Sequence, residues 1–196
     1  MRRAGADGLL VELDSLEQVQ QLYAELRRRQ PRGLAEMVPA ARSVLLTGEG
    51  LDELARQMPA WTLAPVAAAA SRLIEIPVIY DGPDLAEVAA LSGLSENEVI
   101  RLHGSVELRA AFCGFAPGFA YLAGLPAQLQ VPRRKTPRTQ VPAGAVALAG
   151  DFSGVYPRAS PGGWQLIGRT GLRLWDAQNN PPALLTPGTR VRFVAT

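Results

Sequence analysis

Apolar positions along the chain divide the first eighty residues into short strands and two amphipathic helices. Ser15 is the predicted N-cap of the first helix, which continues to about Gln30 and ends before Pro31 and Gly33. The other predicted elements are strands over residues 9–13, 34–38, 43–47 and 74–80 and a helix over residues 50–58. This β-α-β-β-α order, with the last strand near its end, indicates a ferredoxin-like α/β sandwich.

Two further helices are predicted after Gly82-Pro83. Apolar residues recur with helical spacing from Asp84 to Leu91, and the second helix runs from Ser95 to His103. Ser95 with Glu98 three residues on forms a predicted capping box. Residues 64–70, upstream of these helices, are rich in alanine and weakly patterned, which is typical of a linker or a loose helix.

From Val106 onward the pattern changes to short apolar runs separated by glycine and proline. The predicted strands are residues 106–113, 141–148, 163–167, 172–175 and 190–194. Several short strands with turn signals between them indicate a closed or nearly closed antiparallel barrel. The chain is therefore predicted to be α+β, with an N-terminal domain over 1–80 and a barrel domain with leading helices over 81–196.

Length and composition agree with a globular protein. The 196 residues, 47% of them apolar, suffice for one sizeable core or two small ones. No apolar run approaches the roughly 20 residues of a membrane-spanning helix. The opening sequence MRRAGADG lacks the apolar stretch of a signal peptide, so the cytoplasm is the expected location.

Catalytic and metal-binding chemistry is limited by the scarcity of its usual residues. The chain has one cysteine, Cys113, and one histidine, His103, so an internal disulfide framework and a histidine-containing metal cluster are excluded. The one lysine, Lys135, follows Arg133 and Arg134 and no glycine, so the chain has no P-loop for ATP. Neither a G-x-S-x-G elbow nor a cysteine-protease signature accompanies His103.

Charge is distributed unevenly between the two halves. Residues 1–100 carry a net charge of −6 and residues 101–196 carry +8. Because arginine pairs bidentately with carboxylate and phosphate, the second half is expected to meet an anionic substrate, a phosphorylated intermediate or an acidic partner. Solvated surface arginines are the alternative. Nucleic acid is disfavoured because aromatic residues do not interleave with these arginines.

Three motifs follow one another between Phe112 and Thr170. They are Gly114-Phe115-Ala116-Pro117-Gly118-Phe119-Ala120-Tyr121-Leu122, Pro137-Arg138-Thr139-Gln140-Val141-Pro142-Ala143-Gly144 and Tyr156-Pro157-Arg158-Ala159-Ser160-Pro161-Gly162-Gly163-Trp164-Gln165-Leu166-Ile167-Gly168-Arg169-Thr170. With Ile76-Pro77-Val78-Ile79-Tyr80 before them and Pro187-Gly188-Thr189-Arg190 after them, the chain resembles the allophanate hydrolase subunit 1 family. That family includes the B subunit of 5-oxoprolinase and a sporulation-kinase inhibitor, and it is similar to one half of the carboxyltransferase region of urea carboxylases.

This resemblance implies a ferredoxin-like N-terminal domain and a cyclophilin-like antiparallel barrel. It also implies one subunit of an ATP-dependent amidohydrolase, most plainly a 5-oxoprolinase, that is inactive alone. The expected partners are a larger chain resembling allophanate hydrolase subunit 2 or the C subunit of 5-oxoprolinase, and a lactam-utilisation protein. The complex would use ATP and a small anionic or amide substrate, and no metal site is expected in this chain.

The candidate site residues come from the same motifs. Arg138 and Arg169 are candidate anion clamps, unless each instead satisfies carbonyls of its own loop. Aromatic residues such as Phe119 and Trp164 could line a small pocket or form barrel core. His103, at a helix end that would favour a protonated imidazole, is a weak catalytic candidate. The expected substrate-binding residues are Phe115, Pro117, Gly118, Tyr121, Arg138, Tyr156, Gln165, Arg169 and Thr170.

Three positions depart from the family pattern and leave the substrate open. Ala120 replaces a usual proline, Ala145 a usual serine, and Phe152 a usual glutamine. Two alternatives to the amidohydrolase therefore stand: a regulator that binds and inhibits a histidine kinase, and half of a carboxyltransferase in a biotin-dependent assembly. The chain has no Met-Lys-Met-like biotin acceptor, so the latter would need one from another chain.

Overall fold

A computed structural model describes residues 1–66 and 72–196 of the chain. The chain divides into two compact units, Met1–Ala69 and Ala70–Thr196. Each unit has its own sheet and its own buried apolar cluster. Most of the alanine-rich stretch that the sequence predicts as a linker or loose helix lies outside the described residues.

The first unit is a four-stranded antiparallel sheet with two helices. Its elements are β1 (Arg2–Arg3), β2 (Gly8–Glu12), α1 (Leu16–Arg29), β3 (Leu34–Pro39), β4 (Ser43–Gly48), α2 (Leu51–Gln57) and a 3-10 turn (Met58–Ala60). The strands lie in the order β1-β2-β4-β3. Apolar residues of β2, β4 and both helices form one buried cluster between the sheet and the helices.

Helix α1 begins and ends where its sequence predicts. The Ser15 hydroxyl accepts a hydrogen bond from the Gln18 backbone N–H at 3.2 Å, which satisfies a free donor of the first turn. At the other end Gln30 adopts a left-handed conformation, φ 48°, and its N–H donates to Leu26 O. The cap residues therefore fix both ends of the helix.

The second unit is built on a seven-stranded sheet. Its elements are β5 (Leu73–Val78), α3 (Leu85–Ser92), α4 (Glu96–Ser105), β6 (Leu108–Cys113), β7 (Ala120–Ala123), a 3-10 turn (Ala127–Leu129), β8 (Arg138–Val141), β9 (Ala145–Ala149), β10 (Phe152–Val155), β11 (Ser160–Gly162), β12 (Gln165–Arg169) and β13 (Arg190–Ala195). The sheet order is β12-β9-β10-β7-β6-β13-β5, and β8 pairs with β11 in a separate ribbon. All of these pairings are antiparallel except β13 with β5.

The two edges of the seven-stranded sheet meet and close it into a barrel. Ile79, just after β5, exchanges two backbone hydrogen bonds of 2.9 Å with Arg169 at the end of β12. The chain then crosses β12 so closely that a Cβ on Gly82 would overlap the Ile167 carbonyl carbon. Glycine at this position is therefore a steric requirement of closure. The predicted barrel is confirmed in this nearly closed sheet.

Strand β5 belongs to the barrel, and its predicted place in the first domain is wrong. The sequence predicts a strand over 74–80 at the end of the ferredoxin-like sandwich, within a domain over 1–80. The structure instead pairs Leu73–Val78 in parallel with β13, from Arg190 to Ala195, and the units divide at Ala69. The alternation of apolar and polar residues predicts the strand but not its partner strand, which lies more than a hundred residues away in the sequence.

Other barrel strands differ locally from the pattern-based expectation. The single strand predicted over 141–148 is divided into β8 and β9, because Pro142-Ala143-Gly144 forms a turn in which Gly144 N–H donates to Tyr156 O. The strand predicted over 172–175 is absent from the described structure there, where Trp175 makes one isolated bridge to Ala183. Strands β7, β10 and β11 contain only three or four residues each, too few for a periodic signal.

The helices α3 and α4 pack against the barrel and share its larger core. Val88 and Val99 are fully buried and join the cluster formed by the inward side of β5, β6 and β13. The predicted capping box of α4 is present, since the Glu98 carboxylate accepts from Ser95 N–H at 2.8 Å and Ser95 Oγ accepts from Glu98 N–H. No helix within the described ranges is both long and apolar enough to cross a membrane.

Candidate functional site

A small pocket on the barrel unit brings parts of the first and third motifs together. Its volume is about 90 Å³. Three predicted site residues, Phe115, Tyr121 and Tyr156, line it, and Arg133 is its charged lining residue. The full lining is Phe115, Phe119, Tyr121, Arg133, Tyr156, Gly162, Gly163 and Trp164. We call this site the aromatic pocket.

Edge-to-face contacts around Phe119 give the aromatic pocket its shape. The Phe119 ring lies 5.1 Å from Tyr121, 5.4 Å from Tyr156 and 5.4 Å from Trp164, with steep interplanar angles. Such geometry places the positive edge of one ring against the negative face of the next. Phe119, Tyr156 and Trp164 are at most 5% exposed, so these rings are at once barrel core and pocket wall.

Tyr156 supplies a hydroxyl to the pocket, and Gly162 leaves room for it. A Cβ on residue 162 would overlap Tyr156 Oη, so any larger side chain would displace the phenol. Burial raises the pKa of Tyr156, while the Trp164 backbone N–H and the charge of Arg133 act in the opposite direction. The group therefore remains a neutral phenol that can donate or accept a hydrogen bond at physiological pH.

Phe115 forms the exposed side of the pocket in an unfavourable backbone conformation. Its φ is 69°, which is rare for a bulky residue, and its side chain is 57% exposed. The turn around it is held by hydrogen bonds from Gly114 N–H to Phe119 O and from Phe119 N–H to Ala116 O. A strained residue of this kind is typical of functional loops, where the surrounding structure holds the strain.

Arg138 lies in a buried ion pair and not in the aromatic pocket. Its guanidinium donates to both oxygens of Asp84, at 2.7 and 2.8 Å, and Arg134 donates to the same carboxylate at 2.5 Å. Asp84 is 2% exposed and also accepts from Leu166 N–H at 2.7 Å. Burial favours a higher pKa for this carboxyl, but the hydrogen bonds from Arg138 and Leu166 outweigh it and the pKa is lowered.

Arg169 pairs with an acidic residue on the surface. Its Nε donates to Asp81 at 2.8 Å, and the arginine side chain is 62% exposed. The backbone of Arg169 has the structural role, because it exchanges hydrogen bonds with Ile79 at the closure of the barrel. The two predicted anion clamps therefore contact carboxylates of the β5–α3 connection and lie apart from the pocket lining.

Gln165 is buried and contacts the basic loop, which we define as residues 132–138. Gln165 is only 1% exposed, and its Nε2 donates a hydrogen bond to the Pro132 carbonyl at 3.4 Å. No hydrogen-bond partner for its Oε1 is found in the described part of the chain. Gln165 thus contacts the backbone next to Arg133 and not the cavity itself.

The remaining predicted site residues do not line the pocket. Pro117 is exposed, while Gly118 is buried against Trp175. Thr170 is half-buried, and its N–H donates to Gly144 O at 2.9 Å. Their observed contacts are with turns of the barrel.

His103 is enclosed in the barrel core. Its Nδ1 lies 2.8 Å from the Tyr80 hydroxyl, its Nε2 lies 3.0 Å from Ser153 Oγ, and its ring stacks on Phe193 at 4.4 Å. The side chain is 0% exposed, and burial lowers the pKa of His103 to about 3. The expected protonated imidazole at a helix end is therefore wrong, because desolvation outweighs the helix dipole.

The side chains that could hold a metal ion are dispersed. Cys113 is half-buried, its thiol lies 3.5 Å from Leu185 O, and burial raises its pKa. His103 is already engaged on both ring nitrogens. Across residues 1–66 and 72–196, no three His, Cys, Asp or Glu side chains form a group that could hold a metal ion.

Sequence reasoning missed Arg133 and Asp84. Arg133 begins the run Arg133-Arg134-Lys135, whose proximity to Pro132 and Pro137 was the available signal for a rigid basic loop. Nothing in the sequence indicated that Asp84 binds arginines, because a single aspartate before a helix is ordinarily an N-cap. In the structure it makes no cap hydrogen bond and instead binds two arginines.

Comparisons with known proteins agree on one family. The family model described as "Carboxyltransferase domain, subdomain C and D" matches residues 1–185. The chain is 54% identical over 147 residues to the 5-oxoprolinase B subunit of Escherichia coli O157:H7, covering 74% of this chain and 67% of the relative. It is 50% identical over 126 residues to the Bacillus subtilis protein of the same name, covering 63% of this chain and 52% of that relative. The Haemophilus influenzae protein of that name is 38% identical over 188 residues, covering 92% of this chain and 88% of that relative.

Solved structures share the fold. A crystal structure of TTHA0988 superposes with a TM-score of 0.78 at 37% identity, covering 96% of this chain and 40% of that longer one. Urea carboxylase of Kluyveromyces lactis gives a TM-score of 0.79 at 22% identity over the whole of this chain and 21% of the enzyme. The chain thus spans about half the length of the Bacillus relative and less than half of both structures.

Proposed function

Because this chain belongs to the carboxyltransferase-domain family, subdomains C and D, we propose that it is one subunit of an ATP-dependent 5-oxoprolinase. The observation that carries the proposal is 54% identity to a relative named as the B subunit of 5-oxoprolinase. Two more relatives with that name, from Bacillus subtilis and Haemophilus influenzae, support the same assignment. The reaction would convert 5-oxoproline, ATP and water into glutamate, ADP and phosphate.

Opening an unactivated lactam at neutral pH requires activation of its carbonyl. Phosphorylation of the lactam oxygen turns a poor electrophile into a good one, and fixed positive charge and oriented donors stabilise the anion that follows. A pocket walled by aromatic rings that also contains a phenol and an arginine, such as the aromatic pocket, suits the lactam side of this reaction. Phe115, Tyr121 and Tyr156 are the predicted substrate-binding residues that lie there.

ATP would be held elsewhere in the complex. This chain has no P-loop sequence. The aromatic pocket, at about 90 Å³, is far smaller than the roughly 300–1,000 Å³ of sites for drug-sized ligands, and a nucleotide belongs to that class. A nucleotide-binding partner chain would therefore supply the phosphoryl donor, and this chain would be inactive alone.

The partners in this proposal are a larger subunit and a lactam-utilisation protein. The relatives are named as one lettered subunit of 5-oxoprolinase, which implies further subunits of the same enzyme. The larger chain would resemble allophanate hydrolase subunit 2, the counterpart of the C subunit of 5-oxoprolinase. A cytoplasmic location suits a complex that consumes ATP.

The finer fold assignment is part of the proposal. The order β2-α1-β3-β4-α2, with β2 and β4 adjacent at the centre of the sheet, supports a ferredoxin-like first domain. In the second unit, the nearly closed sheet flanked by α3 and α4 supports a cyclophilin-like barrel.

The two alternatives are not favoured. The chain is 26% identical to urea amidolyase of Saccharomyces cerevisiae, and the match covers 13% of that protein. This identity is lower than that to any of the three 5-oxoprolinase relatives. A carboxyltransferase role would therefore rest on this weaker similarity and on the family model that describes the domain. Inhibition of a histidine kinase has no surface feature in the described residues to support it.

An omission experiment tests the proposed function. The chain is co-expressed with the larger subunit and the lactam-utilisation protein encoded near it, and ADP release is measured with and without 5-oxoproline. Lactam-stimulated ADP release that disappears when this chain is left out supports the proposal. A stable complex without such stimulation refutes it.

A further inference from the structure

The aromatic pocket combines one cation with a wall of rings. Of its eight lining residues, Arg133 is charged, five are aromatic and two are glycine. A charged group beside aromatic faces and a phenol hydroxyl suits a ligand that is a small ring with an anionic substituent.

Arg133 has no ionic partner within the described part of the chain, unlike its neighbours. Arg134 and Arg138 both bind Asp84, and Arg134 also lies 3.6 Å from Glu87. No carboxylate of residues 1–66 or 72–196 lies within 4.0 Å of the Arg133 guanidinium, and the residue is exposed. Its charge is thus available to an anion at the pocket.

The backbone around Arg133 is fixed on both sides. Before it, the Pro132 carbonyl accepts from the buried Gln165 side chain. After it, Arg134 N–H donates to Gly163 O at 2.8 Å, and the Arg134 guanidinium binds the buried Asp84. A cation carried by so constrained a segment loses little backbone entropy when it binds a ligand.

The geometry points to Arg133 as the residue that pairs with the carboxylate of 5-oxoproline, with the lactam ring held in the aromatic pocket. This assignment rests on the proposed function. It replaces Arg138 and Arg169, whose guanidinium groups are occupied by Asp84 and Asp81. The cavity, at about 90 Å³, is far smaller than the roughly 300–1,000 Å³ of sites for drug-sized ligands, so it suits a small ring better than a nucleotide.

Phe115 and Tyr156 complete the recognition. The exposed Phe115 ring lies 6.0 Å from Tyr156 and 5.3 Å from Phe119, on the open side of the cavity, where it would cover a bound ring. The Tyr156 hydroxyl would hydrogen-bond to the polar edge of the lactam. The pocket would therefore discriminate against the same lactam without its carboxylate, because Arg133 would then gain no partner.

The test measures binding at the pocket wall independently of ATP hydrolysis. This chain is labelled with 5-fluorotryptophan and assembled with its unlabelled partner subunits. Its three tryptophans give three ¹⁹F signals, and Trp61→Phe and Trp175→Phe identify that of Trp164 by elimination. We expect 5-oxoproline to shift the Trp164 signal saturably, and 2-pyrrolidinone, the ring without a carboxylate, to leave it unchanged at the same concentration.

Two charge-removing variants of the basic loop provide the matched comparison. Arg133→Gln should weaken 5-oxoproline binding by about tenfold to a hundredfold, the range for a lost charge-assisted hydrogen bond. Lys135→Gln, an equal loss of charge two residues away and outside the pocket lining, should bind within about twofold of the unaltered complex.

The outcomes separate this inference from the proposed function. A shifted Trp164 signal in a complex without lactam-stimulated ADP release supports the binding site and refutes the enzyme. Lactam-stimulated ADP release with an unmoved Trp164 signal, or with unchanged affinity in Arg133→Gln, refutes the binding site and leaves the enzyme. Equal effects of 5-oxoproline and 2-pyrrolidinone also overturn the role of Arg133, and the absence of both binding and activity overturns both proposals.

Discussion

Asp84 and His103 are buried titratable residues that make the folded chain sensitive to acid in different pH ranges. Asp84 is charged and its pKa is lowered from 3.8, so its stabilising contribution is present above that value and is lost as the pH falls below it. His103 is neutral with a pKa of about 3, against 6.5 for a free histidine. Between these two values the unfolded chain binds a proton that the folded chain does not, so stability falls as the pH falls from 6.5.

Replacing His103 by glutamine should remove the acid sensitivity between pH 6.5 and 5. In the unaltered chain this residue alone lowers the free energy of unfolding by up to about 1.4 kcal/mol per pH unit in that range. Urea unfolding of both proteins at pH 7, 6.5, 6, 5.5 and 5 measures the slope. The carboxylates of the chain are the same in both proteins. An equal slope of unfolding free energy against pH in the two would therefore contradict a buried neutral imidazole.

Replacing Phe115 by glycine should separate binding from stability. Glycine adopts the observed φ of 69° without strain, and the lost ring is more than half exposed, so the melting temperature should change by only a few degrees. The KM for 5-oxoproline should rise about tenfold, since the open side of the pocket loses its cover. Phe115→Tyr, which keeps the ring, should restore the KM. A large drop in melting temperature for Phe115→Gly, with an unchanged KM, would show that the ring is structural.

At the scale of elements, the basic loop and β12 are joined by the Asp84 carboxylate. Asp84 accepts hydrogen bonds from Arg134, Arg138 and the backbone of β12, so it connects the start of α3 with two other segments. Removing one partner of a buried ion pair leaves the other uncompensated, which costs about 3–5 kcal/mol. Arg133 directly precedes Arg134, so this connection also constrains the backbone that carries Arg133.

Arg138→Lys and Arg169→Lys should differ in their effect on stability. Arg138 forms a bidentate pair with a buried carboxylate, so lysine should lower the melting temperature by several degrees. Arg169 forms one exposed pair, whose contribution is about 0–1 kcal/mol, so lysine there should leave the melting temperature nearly unchanged. Scanning calorimetry compares the two variants. If Arg138→Lys retained full stability and lost activity, Arg138 would be an anion clamp after all.

Local sequence patterns were sufficient to predict most helices and strands, whereas the pairing of distant strands could be seen only in the structure. The caps at Ser15 and Ser95 are encoded within four residues, and both helices begin as predicted. The parallel partner of β5 lies at the other end of the chain, so alternation could not reveal it. For the same reason the motifs predicted Arg138 and Arg169 as anion clamps, because their ion pairs with Asp84 and Asp81 depend on tertiary contacts that the sequence does not show.

At the scale of the whole molecule, the chain combines the small aromatic pocket, of about 90 Å³, with a sequence that has no P-loop for ATP. The barrel closes through Ile79 and Arg169, and the three motifs lie in or beside that closed sheet. In the proposed 5-oxoprolinase, the residues that hold ATP would then belong to other chains of the complex. This proposed division of labour follows from the absence of a P-loop in the sequence.

The isolated chain should therefore not respond to ATP. A ligand that binds the folded state at 100 times its Kd stabilises it by about 2.7 kcal/mol, which a thermal melt detects. We expect millimolar ATP to shift the melting temperature of this chain alone by less than about 1 °C and to raise that of the assembled complex. A clear shift for the isolated chain would mean that this subunit holds the nucleotide.

Conversion of 5-oxoproline into glutamate by the assembled complex is the most direct test of the account. The complex is supplied with ¹³C-labelled 5-oxoproline and ATP, and labelled glutamate and ADP are followed together by NMR. We expect one glutamate for each ADP, with both absent when this chain is left out. A correctly assembled complex that hydrolyses ATP without forming glutamate would contradict the assignment of this chain to a 5-oxoprolinase.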